Sequence, residues 1–274
     1  MVNTLIPYFA IMATMIYSVV NGWPCWTTLL MALPAVLFLI RSFIIFHDCT
    51  HGSFLPSDRS NRIVGVFTGA LAFAAYEPWR RSHLKHHATN GQLDHRGFGD
   101  VATMTFEEYQ VANRWERLKY RLYRNPLVMF FVGSIYTFLI LNRFLGLRGT
   151  RAERRSVILT NLIVATVAVL VSRFFGFSTY VAVQLPVIFI AGVFGIWLFY
   201  VQHQFDPGYW ANHDEWDSFD AAIHGASHTN SLRCFAGLPG VSGYTTFTTF
   251  ARESRTICCI RRTPPCRRHT WSSL

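Results

Sequence analysis

The sequence predicts an all-α membrane protein with about four spanning helices, additional interfacial helices and a histidine-rich metal site at one end. Three observations carry this. No charged side chain occurs between Met1 and Ile40, and further apolar runs occupy about 157–171 and 181–201. A spanning helix needs roughly 20 apolar residues, so these runs are long enough. Five of the eleven histidines fall in two five-residue windows, 47–51 and 83–87. Solvation or chance accounts poorly for such crowding.

The spans are expected at 5–20, 29–46, 157–172 and 181–201. The first reads as a retained helix and not a signal peptide, because it lacks a basic start and a second apolar run follows at once. Between the first two spans, Asn21-Gly22-Trp23-Pro24 is a polar break, with Trp23 and Trp26 suited to a membrane interface. The second span delivers His47 to the opposite side.

Arginine placement sets the orientation, since basic residues are retained on the cytoplasmic side. Basic segments lie at Arg80–Lys85, Arg114–Arg124 and Arg148–Arg155, whereas the breaks at 21–28 and 172–180 carry only Arg173. The histidine windows therefore belong on the cytoplasmic face of an integral, multi-pass protein. The apolar run Leu127–Leu141 lies between two basic segments, so it is expected to be interfacial or re-entrant, bent near Gly133, and not to cross. Arg80 and Arg81, beside Trp79, read as interfacial anchors, with docking of an acidic electron carrier the sharper alternative.

The net charge of +10 does not imply nucleic acid. Residues 231–274 hold seven arginines against one acid, Glu253, and so account for +6 of it. Four of the six cysteines (Cys234, Cys258, Cys259 and Cys266) crowd into the same tail, which is no disulfide framework. Lysine occurs only at 85 and 119, an arginine bias that suggests a GC-rich coding sequence.

His47-Asp48-Cys49-Thr50-His51 sets two imidazoles at i and i+4, which share a helix face. His83-Leu84-Lys85-His86-His87 sets three at i, i+3 and i+4, again on one face. A lone HxxxH is as well explained by two histidines capping a helix; the second cluster on the same side of the membrane favours ligands. Imidazole suits iron, zinc and copper. Five ligands exceed one tetrahedral zinc, so two metals are expected, with paired iron the choice.

The segments HDCTH and YEPWRRSHLKHHATNGQLDHRGFGD resemble the first two histidine boxes of the membrane fatty acid desaturases, most nearly the omega-6 or delta-12 type. The likeness runs from about Ile6 through Ala226, which we take as one domain, 1–226, and includes FYVQHQFDPGYW after the last span. The resemblance implies cytoplasmic histidine boxes above a helical bundle, an apolar tunnel for an acyl chain, two non-haem iron ions and O2 as co-substrate. It adds His203 to the ligands, against a plain interfacial histidine. Asp48, Asp94 and Asp100 are expected to orient ligand imidazoles by accepting their second N–H, although solvation is the simpler role for Asp94 and Asp100. His95, His213, His224, His228 and His269 have no spacing partner.

The implied reaction is oxygen-dependent insertion of a cis double bond into an acyl lipid, acyl-CoA or acyl-carrier substrate. No dinucleotide-binding glycine pattern or fused haem domain occurs, so electrons come from ferredoxin or cytochrome b5. A related membrane hydroxylase or carotenoid-modifying enzyme is the alternative. An intramembrane metallopeptidase is further off: HDCTH is similar to HExxH but has Asp48 where glutamate is required, and His83, His86 and His87 would have no role. A non-enzymatic metal carrier should place polar ligands within the spans, which hold almost none.

The family pattern also requires a third box, HHxHH, after the last span, and the chain has none. At the expected place, Gly240–Phe250 reads GVSGYTTFTTF. Take the last base of each codon with the first two of the next, and assume C in third positions. Tyr244–Thr245, Thr245–Thr246, Phe247–Thr248 and Thr248–Thr249 then each give CAC, spelling HHxHH. Flanking residues shift likewise to W-x-T-G-x-I-G before the box and R-V-P-x-Y after it. The slip falls near Ala226 or Ser227. Residues 227–274 are thus expected to be an out-of-frame tail, from a sequencing error or a pseudogene, and the chain inactive as it stands.

Overall fold

Two antiparallel helical pairs set the frame. The computed structural model describes residues 1–97, 101–206 and 208–225; Asp100, His228, His269 and the tail from 227 onward lie outside them. All the long elements are helical, and Gln92 with Ala211 makes one isolated parallel β-bridge. Helix α1 (Val2–Val20) is joined to α2 (Cys25–Thr50) by Asn21–Pro24 alone. At 1.5 Å per residue the 26 residues of α2 extend about 39 Å, so the helix runs past the apolar span and through the whole first histidine window. Its boundaries exceed the expected 29–46 because the less apolar residues at both ends continue the helix, and Pro34 inside it does not end it.

The pair packs through small residues: Ala32 and Ala35 of α2 are fully buried in one cluster with Met15 of α1. Small side chains let backbones approach where lipid offers no hydrophobic drive. Ser18 and Thr28 hydroxyls lie 3.3 Å apart across the pair, a contact of about 0.6 kcal/mol in such a setting.

Helices α8 (Arg151–Phe175) and α9 (Phe177–His203) form the second pair. Thr150 and Glu153 make a capping box, which starts α8 inside the basic segment and not at the apolar run. One residue, Gly176, separates the two helices, and its φ of +93° is a conformation that L side chains rarely adopt. Val183, Val187 and Ile188 of α9 close the core with Tyr8, Val36 and Leu39.

Among the described residues five helices are long and apolar enough to cross a membrane, one more than the sequence predicts. The additional one is α7 (Leu127–Phe144), with π-type turns over Leu127–Val132 and Ile135–Leu141 that meet at Gly133–Ser134. It qualifies by length and composition, but its contacts keep both ends near the histidines. Phe130 meets Tyr200, three residues before His203. Gly146, just beyond α7, lies against Pro78 and Glu153. Between these points Phe138 lies against Gly192, eleven residues or about 16 Å before His203 along α9. Farther along, the Arg143 guanidinium donates to Asn161 Oδ1 and the Phe73 carbonyl.

Two shorter helices, α3 (Asp58–Leu71) and α4 (Tyr76–Thr89), form a hairpin against α2 and α8. Gly65 and Gly69 let them close: a side chain at either would collide with Tyr76 or Phe46. Beyond α4 come α5 (Phe106–Val111) and α6 (Arg114–Arg124), then, after α9, a loop and α10 (Ser218–His224).

Reporter fusions ending within 114–124 and within 148–155 are expected to fall on the same side of the membrane. Opposite sides would mean that α7 crosses.

Candidate metal centre

The C-terminal end of α2 fixes the first two histidines. His47 occupies its last turn and His51 its C-cap, with His51 N–H bonded to the His47 carbonyl at 3.3 Å. The last carbonyls of a helix lack intrahelical partners. Here α4 supplies them: Tyr76 OH donates to the Cys49 carbonyl at 2.8 Å, and Arg80 Nε to the Thr50 carbonyl at 2.9 Å. Arg80 thus ties the two histidine helices together, a role the interfacial-anchor reading missed. Arg81 reaches sideways instead, bonding both Glu153 oxygens at 3.2 and 3.3 Å.

With the helices so registered, four imidazoles converge. One nitrogen from each of His47, His51, His83 and His87 lies within 4.8 Å of the others. His83 Nε2 is 3.0 Å from His51 Nε2 and 3.0 Å from His87 Nε2. A second, smaller group stands beside it. His86, 2% exposed, has its Nε2 3.3 Å from His203 Nε2 at the end of α9. The His86 and His87 rings are 5.6 Å apart, which links the groups.

These separations fit metal ligands. Nitrogens at right angles about an ion about 2.1 Å away lie about 3.0 Å from one another, and tetrahedral ones about 3.4 Å. Burial first, and neighbouring imidazoles second, push His51 down to about 3 and His87 to about 2, with His83 lowered further still. The shifts at His51, His83 and His87 favour the neutral ring, the form that coordinates metal.

The surroundings hold the rings in place. Trp79 stacks on His83 with centroids 4.3 Å apart, and Phe46, fully buried, lies 4.8 Å beneath Trp79. Asp48 Oδ1 is 3.0 Å from His47 Nδ1. Asp94 is turned elsewhere, accepting the His213 backbone N–H at 2.8 Å. The His203 Nδ1 faces the Gly225 carbonyl at 3.3 Å, so the last described residue of the chain sits at the site. Asn90 Nδ2 also donates to Gly225 O, and Trp216 Nε1 to Asn90 O, which pins the loop after α9 over α4. His95 and His213 pair with each other, 6.2 Å between rings, and His213 Nδ1 meets Gln92 at 2.8 Å; His224 is exposed. Tyr76, Trp79, Arg80 and Gly225 have no signature in spacing, because each acts through a tertiary contact.

Residues 21–240 match the family model described as fatty acid desaturase. The chain belongs to the fatty acid desaturase family. It is 41% identical over 244 residues to a fatty acid desaturase of Bacillus subtilis (strain 168), covering 89% of this chain and 69% of that protein. It is 26% identical to an endoplasmic-reticulum omega-3 fatty acid desaturase of Vigna radiata, over 72% of this chain and 53% of the relative. An Arabidopsis thaliana chloroplastic protein named sn-2 acyl-lipid omega-3 desaturase (ferredoxin) is 31% identical over 31% of this chain and 18% of its own. The chain thus spans about two thirds of the Bacillus relative and about half of the Vigna one. The desaturase family comprises oxidoreductases that act on acyl lipids.

Asp48→Asn is expected to weaken metal binding to the four-histidine group by about 10–100-fold, read by metal titration of the purified chain. Arg80→Ala should destabilise the protein by about 1 kcal/mol through the lost cap on α2, seen as a lower Tm in detergent. An unchanged Tm would return Arg80 to the role of a plain interfacial anchor.

Proposed function

We propose that the underlying gene encodes an oxygen-dependent acyl-chain desaturase that inserts a cis double bond, and that this polypeptide is inactive because its third histidine box is out of frame. The observation that carries the reading is the division of the histidines among the described residues: His47, His51, His83 and His87 in one group, and His86 with His203 beside it. Two iron ions, one at each group, would supply oxygen activation. The overall reaction removes two hydrogens from adjacent methylenes and reduces O2 to two waters, using two electrons and two protons delivered from outside.

The chain's own residues do the positioning. Asp48 beside His47 and Trp79 stacked on His83 fix ring orientation. Phe43, Phe46 and Trp79 pack under the cluster and keep water from that side. The arginine bias of the flanking segments supports a cytoplasmic placement for this end of the bundle. Ferredoxin or cytochrome b5 is the proposed electron donor; one relative is named with ferredoxin. The omega-6 or delta-12 assignment remains our reading of the sequence, and the two plant relatives above are named as omega-3 enzymes.

The frame reading gains support from Gly225. It lies beside His203, so a chain that continues from Gly225 into a restored box eighteen residues past Ala226 would start at the His86–His203 group. Resequencing tests the frame first: third-position bases incompatible with CAC at Tyr244 and its neighbours would end it. Iron analysis of this chain beside a frame-restored version should give two irons only in the restored form, and equal iron in both would refute the importance of the shift. Lipid analysis of cells expressing the restored gene should show new double bonds. Hydroxylated or carotenoid products would instead favour the related oxygenases.

A further inference from the structure

Helix α6 is built inside out. Trp115, Leu118 and Leu122 recur at i, i+3 and i+7, one face of a helix, and a helix on a water-exposed surface turns such a face to the core. Here the face points away from the protein: Trp115 is 72% exposed, Leu122 51% and Leu118 44%. The arginine face is the one that packs. Arg117 and Arg121 lie 5.6 and 5.8 Å from the Tyr109 ring, and Arg121 Nε is 2.6 Å from its hydroxyl. Arg124 sits 5.4 Å from the Tyr200 ring and donates to Gln204 Oε1 at 2.6 Å.

We propose that α6 lies in the membrane plane at the histidine end of the bundle, with its apolar stripe among acyl chains and its cations on anionic phospholipid headgroups. Position favours the bilayer over a protein partner. Only Asn125 and Pro126 separate α6 from α7, whose first residue, Leu127, is 68% exposed. The stripe therefore sits at the height where the chain enters apolar surroundings. Charge favours anionic lipid: five Lys or Arg stand against Glu116, which is itself engaged at the Asn113 backbone N–H. Lys119 and Arg114, both exposed, flank the stripe on either side, as interfacial helices require. The inference rests on residence in a bilayer and not on the reaction. It does bear on the site, because Arg124 and Gln204 tie α6 to the residue after His203.

The test uses the full chain in nanodiscs of phosphatidylcholine with or without phosphatidylglycerol. Hydrogen exchange across 114–124 should slow with the anionic lipid, by roughly fivefold per engaged basic side chain at low salt, and the difference should shrink at high salt. The double variant Arg114→Glu, Lys119→Glu should lose the difference while α8 and α9 exchange as before. A photocrosslinker placed at Leu118 should yield lipid adducts. Equal exchange in both lipids, or adducts to a second copy or another protein, would overturn the proposal.

Discussion

The site depends on how α2 ends. A helix end leaves carbonyls without intrahelical donors; Arg80 meets the one at Thr50, and Tyr76 joins the Gly52 N–H on the one at Cys49, both side chains coming from the first turns of α4. Those two bonds set α4's height and rotation against α2. Trp79, between the two donors in sequence, then faces Phe46 and His47, and one turn further on His83 arrives beside His51. The convergence of four imidazoles thus rests on helix capping together with the aromatic packing around Trp79. The aromatic packing of Phe43 and Phe46 on Trp79 and Tyr76 reinforces the same register, in which His51 and His83 approach to 3.0 Å.

The same dependence explains which parts of the molecule were legible in the sequence. Spans were legible because a bilayer demands long runs of apolar residues, and those runs survive any tertiary arrangement. The histidines were legible because ligands on one helix must recur at i, i+3 or i+4. Their grouping was not. Spacing puts His83, His86 and His87 on one face of α4, yet the structure gives His83 and His87 to one group and His86 to the other. That division is set by which neighbouring helix end approaches each ring, α2 for the former and α9 for the latter, and no local pattern encodes it. The guanidinium of Arg80 was misread for the same reason, since its partner lies thirty residues away.

Segment α7 marks the boundary between composition and structure. Its 18 residues satisfy a length and hydropathy criterion for crossing, whereas the charges at its two ends argue that it returns. The observed tethers, Phe130 to Tyr200 at one end and Gly146 to Pro78 just past the other, lie near the same histidine cluster. Buried polar groups along it follow the logic of a dip. Arg143 finds Asn161 and a carbonyl at its guanidinium, as a cation held partway into an apolar layer must.

The two histidine groups differ in how many imidazoles the described residues bring to each. A group of four imidazoles with a carboxylate behind one of them has enough donors to hold an ion unaided. In the second group His86 and His203 meet with their Nε2 atoms 3.3 Å apart. His86 is nonetheless 2% exposed, and burying an imidazole is costly unless it is partnered. The remainder of the fold is organised as though that cost were met: α9 delivers His203 to it, and the loop after α9 folds back through Trp216 and Asn90 to leave Gly225 at the same point. Three separate elements, α4, α9 and the loop that ends at Gly225, are thus drawn to one imidazole pair, which is why that pair is as fixed in place as the larger group beside it.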